Sequence, residues 1–267
     1  MEIAGYIASA LIGISLGLIG GGGSILTVPV MVYLFGINPI LSTSYSLFVV
    51  GSTSLVGAFN NYRKGLVRIK TALLFGLSSI TTVFITRKFI IPAIPTDIAT
   101  IGHFQLTQAI VTMVLFAILM VIASISMMKN QDGKYKVDAG EHKKVNLSKL
   151  LAYGVAIGVA TGILGAGGGF LLIPTLVLLV KLPMKEAIGT SLLIIALNSL
   201  IGFTGDIGHF TMNWFFLMKV TTIAIAGIFI GGILSKKISG DKLKKGFGWF
   251  VLLMGIYIIV KELFFTK

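Results

Sequence analysis

The sequence predicts an all-α membrane protein built from two inverted-topology repeats, each a broken, re-entrant-like helix hairpin followed by three transmembrane helices. Three observations predict it. Apolar runs fill most of the 267 residues, which are 55% hydrophobic and only 12% charged, a balance outside the range of soluble domains. A glycine cluster occurs twice at a fixed spacing. The lysines and arginines crowd into alternate gaps between the apolar runs.

Eight apolar segments can be drawn, at roughly 3–35, 42–60, 71–86, 106–128, 150–180, 187–204, 213–235 and 247–265. A spanning helix needs about 20 residues. The first and fifth segments exceed this, and each carries a glycine cluster in its middle: Gly20-Gly21-Gly22-Gly23-Ser24 and Gly165-Ala166-Gly167-Gly168-Gly169. Consecutive glycines weaken a helix by about 1 kcal/mol each. Each long segment therefore reads as two helical pieces joined by a break.

The halves align without a gap at an offset of 145, since 168 − 23 = 145. Gly17, Gly20, Gly22 and Gly23 meet Gly162, Gly165, Gly167 and Gly168, and Pro29 meets Pro174. Ser46-Leu47 meets Ser191-Leu192, Ser54-Leu55 meets Ser199-Leu200, and Gly57 meets Gly202. The long period marks an internal duplication. Residues 1–128 form the first repeat and 150–267 the second, within one integral membrane domain. Residues 129–149, KNQDGKYKVDAGEHKKVNLSK, are the linker, with no structure assigned.

Cytoplasmic loops are enriched in Lys and Arg. Arg63, Lys64, Arg68 and Lys70 lie between segments two and three, six lysines lie in the linker, and five lie at 236–245. With these gaps inside, Lys181 and Lys185 also fall inside, and the 205–212 loop, without Lys or Arg, falls outside. The count is 17 basic residues inside and four outside (Arg87, Lys88, Lys261 and Lys267), with Lys219 in a helix. Each long segment must then return to the side it left, and the repeats are oppositely oriented. Single crossings would make the repeats parallel and place the basic 61–70 loop with the neutral 205–212 loop. The expected location is the cell membrane, multi-pass, with both termini outside and the 129–149 linker cytoplasmic. The start, Met1-Glu2, has no basic region, so no cleaved signal peptide is expected.

The net charge of +13 could suggest nucleic acid in a soluble protein. Here it serves topology and anionic lipid headgroups, so the partners expected are the bilayer and a small anion, with no nucleic acid. Association of identical chains is left open. There is no cysteine, and His103, His142 and His209 are too scattered to hold a metal, so no metal or cofactor is expected.

At each break a short helix starts inside the membrane. Its first N–H groups lack helical partners, and its dipole presents a positive end. Glycines let a ligand approach the backbone. Gly22, Gly23, Ser24, Gly167, Gly168 and Gly169 are therefore candidates for an anion site near the midplane. The competing reading is close helix packing through small residues. Ser44 and Ser46, with Thr190 and Ser191, can donate hydroxyls to an oxyanion or bond back to helix carbonyls. Asn198 can bind ligand or join helices. Asp206 is either a coupling residue or a loop residue, and Lys219 either a functional charge or a snorkelling one. No paired carboxylates, Ser/His/Asp set or metalloprotease motif lies within the spans, so no enzyme activity is expected.

The run Gly162-Ile-Leu-Gly165-Ala-Gly167-Gly168-Gly169 to Pro174, followed by Gly189-Thr190-Ser191-Leu192 and Asn198-Ser199-Leu200, resembles the sulfite exporter TauE/SafE family. The first half is similar through Gly17, Gly20–Gly23 and Pro29, but Ser44-Tyr45-Ser46-Leu47 departs from Gly-Thr-Ser-Leu. The resemblance spans nearly the whole chain. It implies transport of sulfite, organosulfonates or related oxyanions. The resulting expectation is a secondary transporter working by alternating access, with an anion channel as the alternative.

Overall fold

The structure is a computed structural model that describes residues 2–101, 104–128, 147–178, 180–235 and 240–265. The linker lies almost wholly outside the described residues.

The first segment divides as the glycines require. Helix α1 (Glu2–Ile19) gives way to a 3₁₀ stretch, Gly20–Leu26, and then to a short helix α2 (Thr27–Tyr33). The chain folds back here, so that the ring of Tyr6 meets that of Phe35 at 5.5 Å. Helix α3 (Pro39–Arg63) starts at a proline, and the Asn38 carboxamide accepts the Ile40 N–H at 2.9 Å; both are ordinary helix-start devices.

Helix α4 (Ile69–Ile85) does not end at Arg87, where the apolar run suggested a loop. It continues through a π-helical turn, Thr86–Ile90, into a short helix α5 (Ile91–Ala93). The whole span is 25 residues. Arg87 is fully buried, paired with a carboxylate described below, and so does not force the chain into water. A two-stranded antiparallel hairpin follows, β1 (Asp97–Ile101) with β2 (Phe104–Thr107), pairing Asp97 with Thr107 and Ile101 with Phe104. This addition to the all-α expectation lies outside the spanning helices. Helix α6 (Gln108–Met128) leads to the linker.

The second half repeats the pattern: α7 (Leu147–Leu164), α8 (Gly169–Leu178), α9 (Met184–Asp206), α10 (Trp214–Leu234) and α11 (Gly240–Val260). Helix α7 occupies the positions of α1 shifted by 145 (2 + 145 = 147; 19 + 145 = 164). Among the described residues, five helices are long and apolar enough to cross a membrane. Their outer faces expose large apolar side chains such as Leu77, Leu115 and Phe215, as lipid contact demands. The protein is a mostly helical, multi-pass membrane protein.

Packing follows the same spacing. Helix α1 lies on α10 with Gly13 against Ala224 and Gly17 against Ile228 and Gly231. Helix α7 lies on α4 with Gly158 against Ser79 and Gly162 against Thr86. These are the same pairs of positions, because 158 − 13, 224 − 79 and 231 − 86 all equal 145. In both interfaces the numbering rises together, so the helices run parallel. Small residues allow this close backbone approach.

Helices α3 and α9, in contrast, run antiparallel. Gly51 packs on Leu200, Gly57 on Leu192 and Leu47 on Gly202. One end of the α3–α9 pair carries the basic loops: Arg68 binds Glu186 at 2.6 Å, and Gly189 abuts the Leu66 carbonyl. The other end carries the neutral loop, where the Asn213 N–H donates to the Tyr45 hydroxyl at 2.7 Å. Glu186 and Asp206 sit on one helix roughly 30 Å apart. The Tyr33 hydroxyl donates to Glu262 at 2.8 Å, so the π-helical turn after α11, Lys261–Phe265, meets the end of α2.

Candidate functional site

The two glycine breaks meet. A side chain on Gly21 would collide with the backbone of Gly169, and the reverse is equally true. The contact lies at the level of Ile195, midway along α9, because Gly21 and Gly167 both face that side chain. Gly167 sits between Ile195 and Val50, which are themselves 145 apart. Beyond this crossing each break goes deeper: Gly20 reaches Ile188 near the basic end, and Gly165 reaches Thr43 near the neutral end.

Backbone conformation explains the glycines. Gly20, Gly165, Gly167 and Gly168 all have φ between 66° and 72°, where a Cβ is disfavoured. Gly22 lies within the 3₁₀ stretch. Gly23 packs on Ser15 and Leu16, and Gly168 on Thr161 and Ile157, so protein atoms fill the space a side chain would take. The cleft beside Gly168, Ala166 and Leu171 is too small for a water molecule. The breaks are thus tightly packed in this conformation. Close packing and an unwound backbone coexist at the glycines.

The predicted hydroxyls separate into two groups. Ser24 donates to the Gly21 carbonyl at 2.7 Å and Ser191 to the Ile188 carbonyl at 2.9 Å, both local back-bonds. Thr190 accepts the Arg68 N–H at 3.0 Å, tying α9 to the start of α4. The Asn198 carboxamide oxygen accepts from Ser79 at 2.9 Å, but its Nδ2 has no protein partner. Ser46 Oγ is likewise buried and unpartnered.

On α3 and α9 three residues outside the predicted set share that property: Thr53, Ser54 and Ser199 are fully buried, and their hydroxyls find no partner. They fall at related positions, since Thr53 matches Asn198 and Ser54 matches Ser199. They lie one turn from Val50 and Ile195, on the helix faces that meet the glycine crossing. The Ser199 hydroxyl lies 2.9 Å from where a Cβ on Gly167 would stand. The signal for them was in the alignment, which already matched Ser54 with Ser199.

At the neutral end the structure corrects two readings. Asp206 is not a loop residue but the last residue of α9, 1% exposed. Arg87 is not an exposed topology charge but Asp206's partner: its Nη1 donates to Asp206 Oδ2 at 3.3 Å and to the Thr43 hydroxyl at 2.9 Å. The Ser44 hydroxyl donates to the same Asp206 oxygen. A buried charge in a membrane is costly unless it is paired, which is why both residues sink together. The sequence hint was the pair Arg87-Lys88 followed directly by Phe89-Ile90-Ile91, an apolar continuation no solvated loop needs.

Lys219 lies elsewhere. Its ammonium rests 4.2 Å over the Phe215 ring, in an open groove of about 460 Å³ lined also by Tyr6, Met218 and Thr222. No residue of the glycine crossing lines that groove, so Lys219 fits the snorkelling reading. No group of three or more metal-ligating side chains occurs among the described residues.

Comparison with known proteins fits this picture. The sequence model of the family "Sulfite exporter TauE/SafE" matches residues 6–258. A "Probable membrane transporter protein" of Xylella fastidiosa (strain Temecula1) is 30% identical over 258 residues, covering 94% of this chain and 92% of that one. The "Probable membrane transporter protein YdhB" of Bacillus subtilis is 26% identical, with 83% and 85% covered. MJ0441 of Methanocaldococcus jannaschii, also named a probable membrane transporter protein, is 23% identical, with 95% and 94% covered. No solved structure matches the chain. The relatives and the family are membrane transporters, not enzymes, and this chain belongs to the sulfite exporter TauE/SafE family.

Proposed function

We propose that the protein is a secondary transporter of small oxyanions, of which sulfite and organosulfonates are the class, working by alternating access about the glycine crossing. One observation carries the reading. Around the crossing, Ser46, Thr53, Ser54, Ser199 and Asn198 Nδ2 are buried polar groups without protein partners. Buried polar groups are normally hydrogen-bonded, and an unmade bond costs about 1–3 kcal/mol each. Hydroxyls and amide N–H groups are the donors that an oxyanion accepts. The unwound glycine backbone adds the positive end of α8 at the same place.

We further propose that the two halves, 1–128 and 150–267, are inverted repeats joined by a cytoplasmic linker. The antiparallel run of α3 and α9, and the equivalence of the α1–α10 and α7–α4 contacts, support this. Positive loops at the end holding Lys64, Arg68, Lys181 and Lys185 support that end being cytoplasmic. Rocking of one half on the other would open the crossing to each side in turn.

Purified protein in liposomes should move labelled sulfite or sulfoacetate in preference to chloride. Failure to move any oxyanion would sink the proposal. Conductance at channel rates would favour the channel instead. Removing cysteine is unnecessary here, so single cysteines at Lys64 and at His209 can be labelled from each face. Labelling of both from one face contradicts the inverted arrangement.

A further inference from the structure

The buried Arg87–Asp206 pair is poorly made for a purely structural ion pair. Arg87 uses one nitrogen, Nη1, for both of its contacts, while Nε and Nη2 have no protein partner. Asp206 likewise receives Ser44 and Arg87 on a single oxygen, Oδ2, and its Oδ1 has no partner. The unpartnered Nε–Nη2 edge of the guanidinium is a planar fork suited to two oxygens of a carboxylate, sulfite or sulfonate. Asp206 does not engage that edge.

Position adds a second argument. Arg87 stands in the π-helical turn Thr86–Ile90, whose Thr86 packs on Gly162, just before the second break. Such turns recur at functional sites. Arg87 also bonds Thr43, the residue against which Gly165 is pressed. The guanidinium is therefore linked through one hydroxyl to the outermost point of the unwound backbone. Asp206, by ending α9, is linked directly to the helix that carries Asn198 and Ser199.

We infer that Arg87 is an anion-recognition residue at the neutral end of the transport path, and that Asp206 is a tethered carboxylate competing with the incoming anion for it. The inference rests on the transport reading above and adds to it a charged subsite about two turns of α9 beyond Asn198 and Ser199. With no anion present, Asp206 neutralises Arg87 and holds α9 against α4. An oxyanion arriving at that end takes the Nε–Nη2 edge, weakens the hold of Asp206, and frees the second break to move.

The test uses the full chain in liposomes with labelled sulfite, and sulfite-dependent melting in detergent as a binding readout. Asp206→Asn removes the competitor and should lower the half-saturating sulfite concentration at the neutral-end face by about threefold or more. The double variant Arg87→Gln with Asp206→Asn removes both charges together, leaving no uncompensated one. It should remain monodisperse yet lose about tenfold or more of sulfite flux and its sulfite-dependent stabilisation. Flux of the double variant equal to wild type would overturn the inference while leaving the transport reading intact. Absence of oxyanion flux in wild type would overturn both. If the double variant does not fold, Arg87→Lys decides, because it keeps a charge beside Asp206 but loses the planar fork: a half-saturating sulfite concentration unchanged from wild type overturns the inference.

Discussion

The two glycine breaks share a backbone design but not their surroundings. At the neutral end Gly165 presses on Thr43, which holds Arg87, which holds Asp206 and, through it, Ser44. At the basic end Gly20 presses on Ile188, the position equivalent to Thr43. The equivalents of Asp206, Ser44 and Arg87 are there Asn61, Gly189 and Gly232. Asn61 still packs on Gly189, as Asp206 meets Ser44, but its amide simply donates to the Gly57 carbonyl at 2.8 Å. Geometry has been kept twice and buried charge placed once. A carrier with two alike gates would have no intrinsic preference between facing in and facing out. On the alternating-access reading proposed above, unlike gates would bias that equilibrium, and the charged one would respond to an anion directly.

The largest expected effect comes from breaking that difference. Arg87→Gln leaves Asp206 buried with no countercharge, and should cost about 3–5 kcal/mol in thermal unfolding in detergent. Asn61→Ala, at the equivalent of Asp206, removes one neutral hydrogen bond and should cost about 1 kcal/mol. Equal losses at the two sites would mean that the charged end carries no special burden.

The next effect concerns the breaks themselves. Gly165→Ala and Gly20→Ala both force a Cβ onto a left-handed backbone, at about 1–2 kcal/mol each. At Gly165 the new methyl also meets the backbone carbonyl and Cα of Thr43, which can move only with α3. At Gly20 it meets an Ile188 methyl at 2.9 Å, and a side chain can rotate away. Gly165→Ala should therefore be worse by roughly 1–3 kcal/mol, and should disturb Arg87 through Thr43. Melting of the two variants side by side settles the order.

What could be read in the sequence divides along the same line. The breaks and the period of 145 follow from local composition and spacing, and the return of the first segment on itself from the loop charges. Four glycines in a row and a repeated proline are signals that no distant residue can hide. The Arg87–Asp206 pair spans 119 positions, and each member lies beside a turn or polar stretch where a lone charge is ordinary. Only the meeting of α4 with α9 makes either residue unusual. The hairpin Asp97–Thr107 was missed for a related reason: its few residues carry too short an alternation to stand out between apolar runs.

A smaller effect tests the crossing that both breaks share. Ser199→Ala and Thr53→Val, at nearly related positions of the two halves, each remove a buried hydroxyl that has no partner. Deleting an unsatisfied polar group relieves its desolvation cost, so stability should hold or rise by up to about 1 kcal/mol. Sulfite flux should nevertheless fall. A variant that melts higher and transports less places the hydroxyl in service of the ligand; one that loses both stability and flux returns it to ordinary packing.

The smallest effect lies at the basic end. Arg68 and Glu186 form a two-point contact, with Nε to Oε2 at 2.6 Å and Nη2 to Oε1 at 3.0 Å. This is better geometry than Arg87 and Asp206 achieve, yet the Arg68 side chain is 60% exposed. Water and salt screen such pairs, so good geometry does not translate into stability. The Glu186 hydrogen bond, and then its charge, raise the Arg68 pKa above the ordinary arginine value. A raised basic pKa adds stability that is complete below the unfolded-state value and is lost only as the pH climbs through the folded one. That window lies far above neutrality, so this arginine leaves melting flat across the neutral range. Arg68→Gln should shift melting less than any variant above, and added salt should erase what difference there is. The stronger link between α4 and α9 at this end is then the Arg68 backbone N–H held by Thr190, which the substitution leaves in place. A large, salt-resistant loss from Arg68→Gln would instead show that both ends of the α3–α9 pair are closed by charge, and the contrast between the two gates would be one of depth alone.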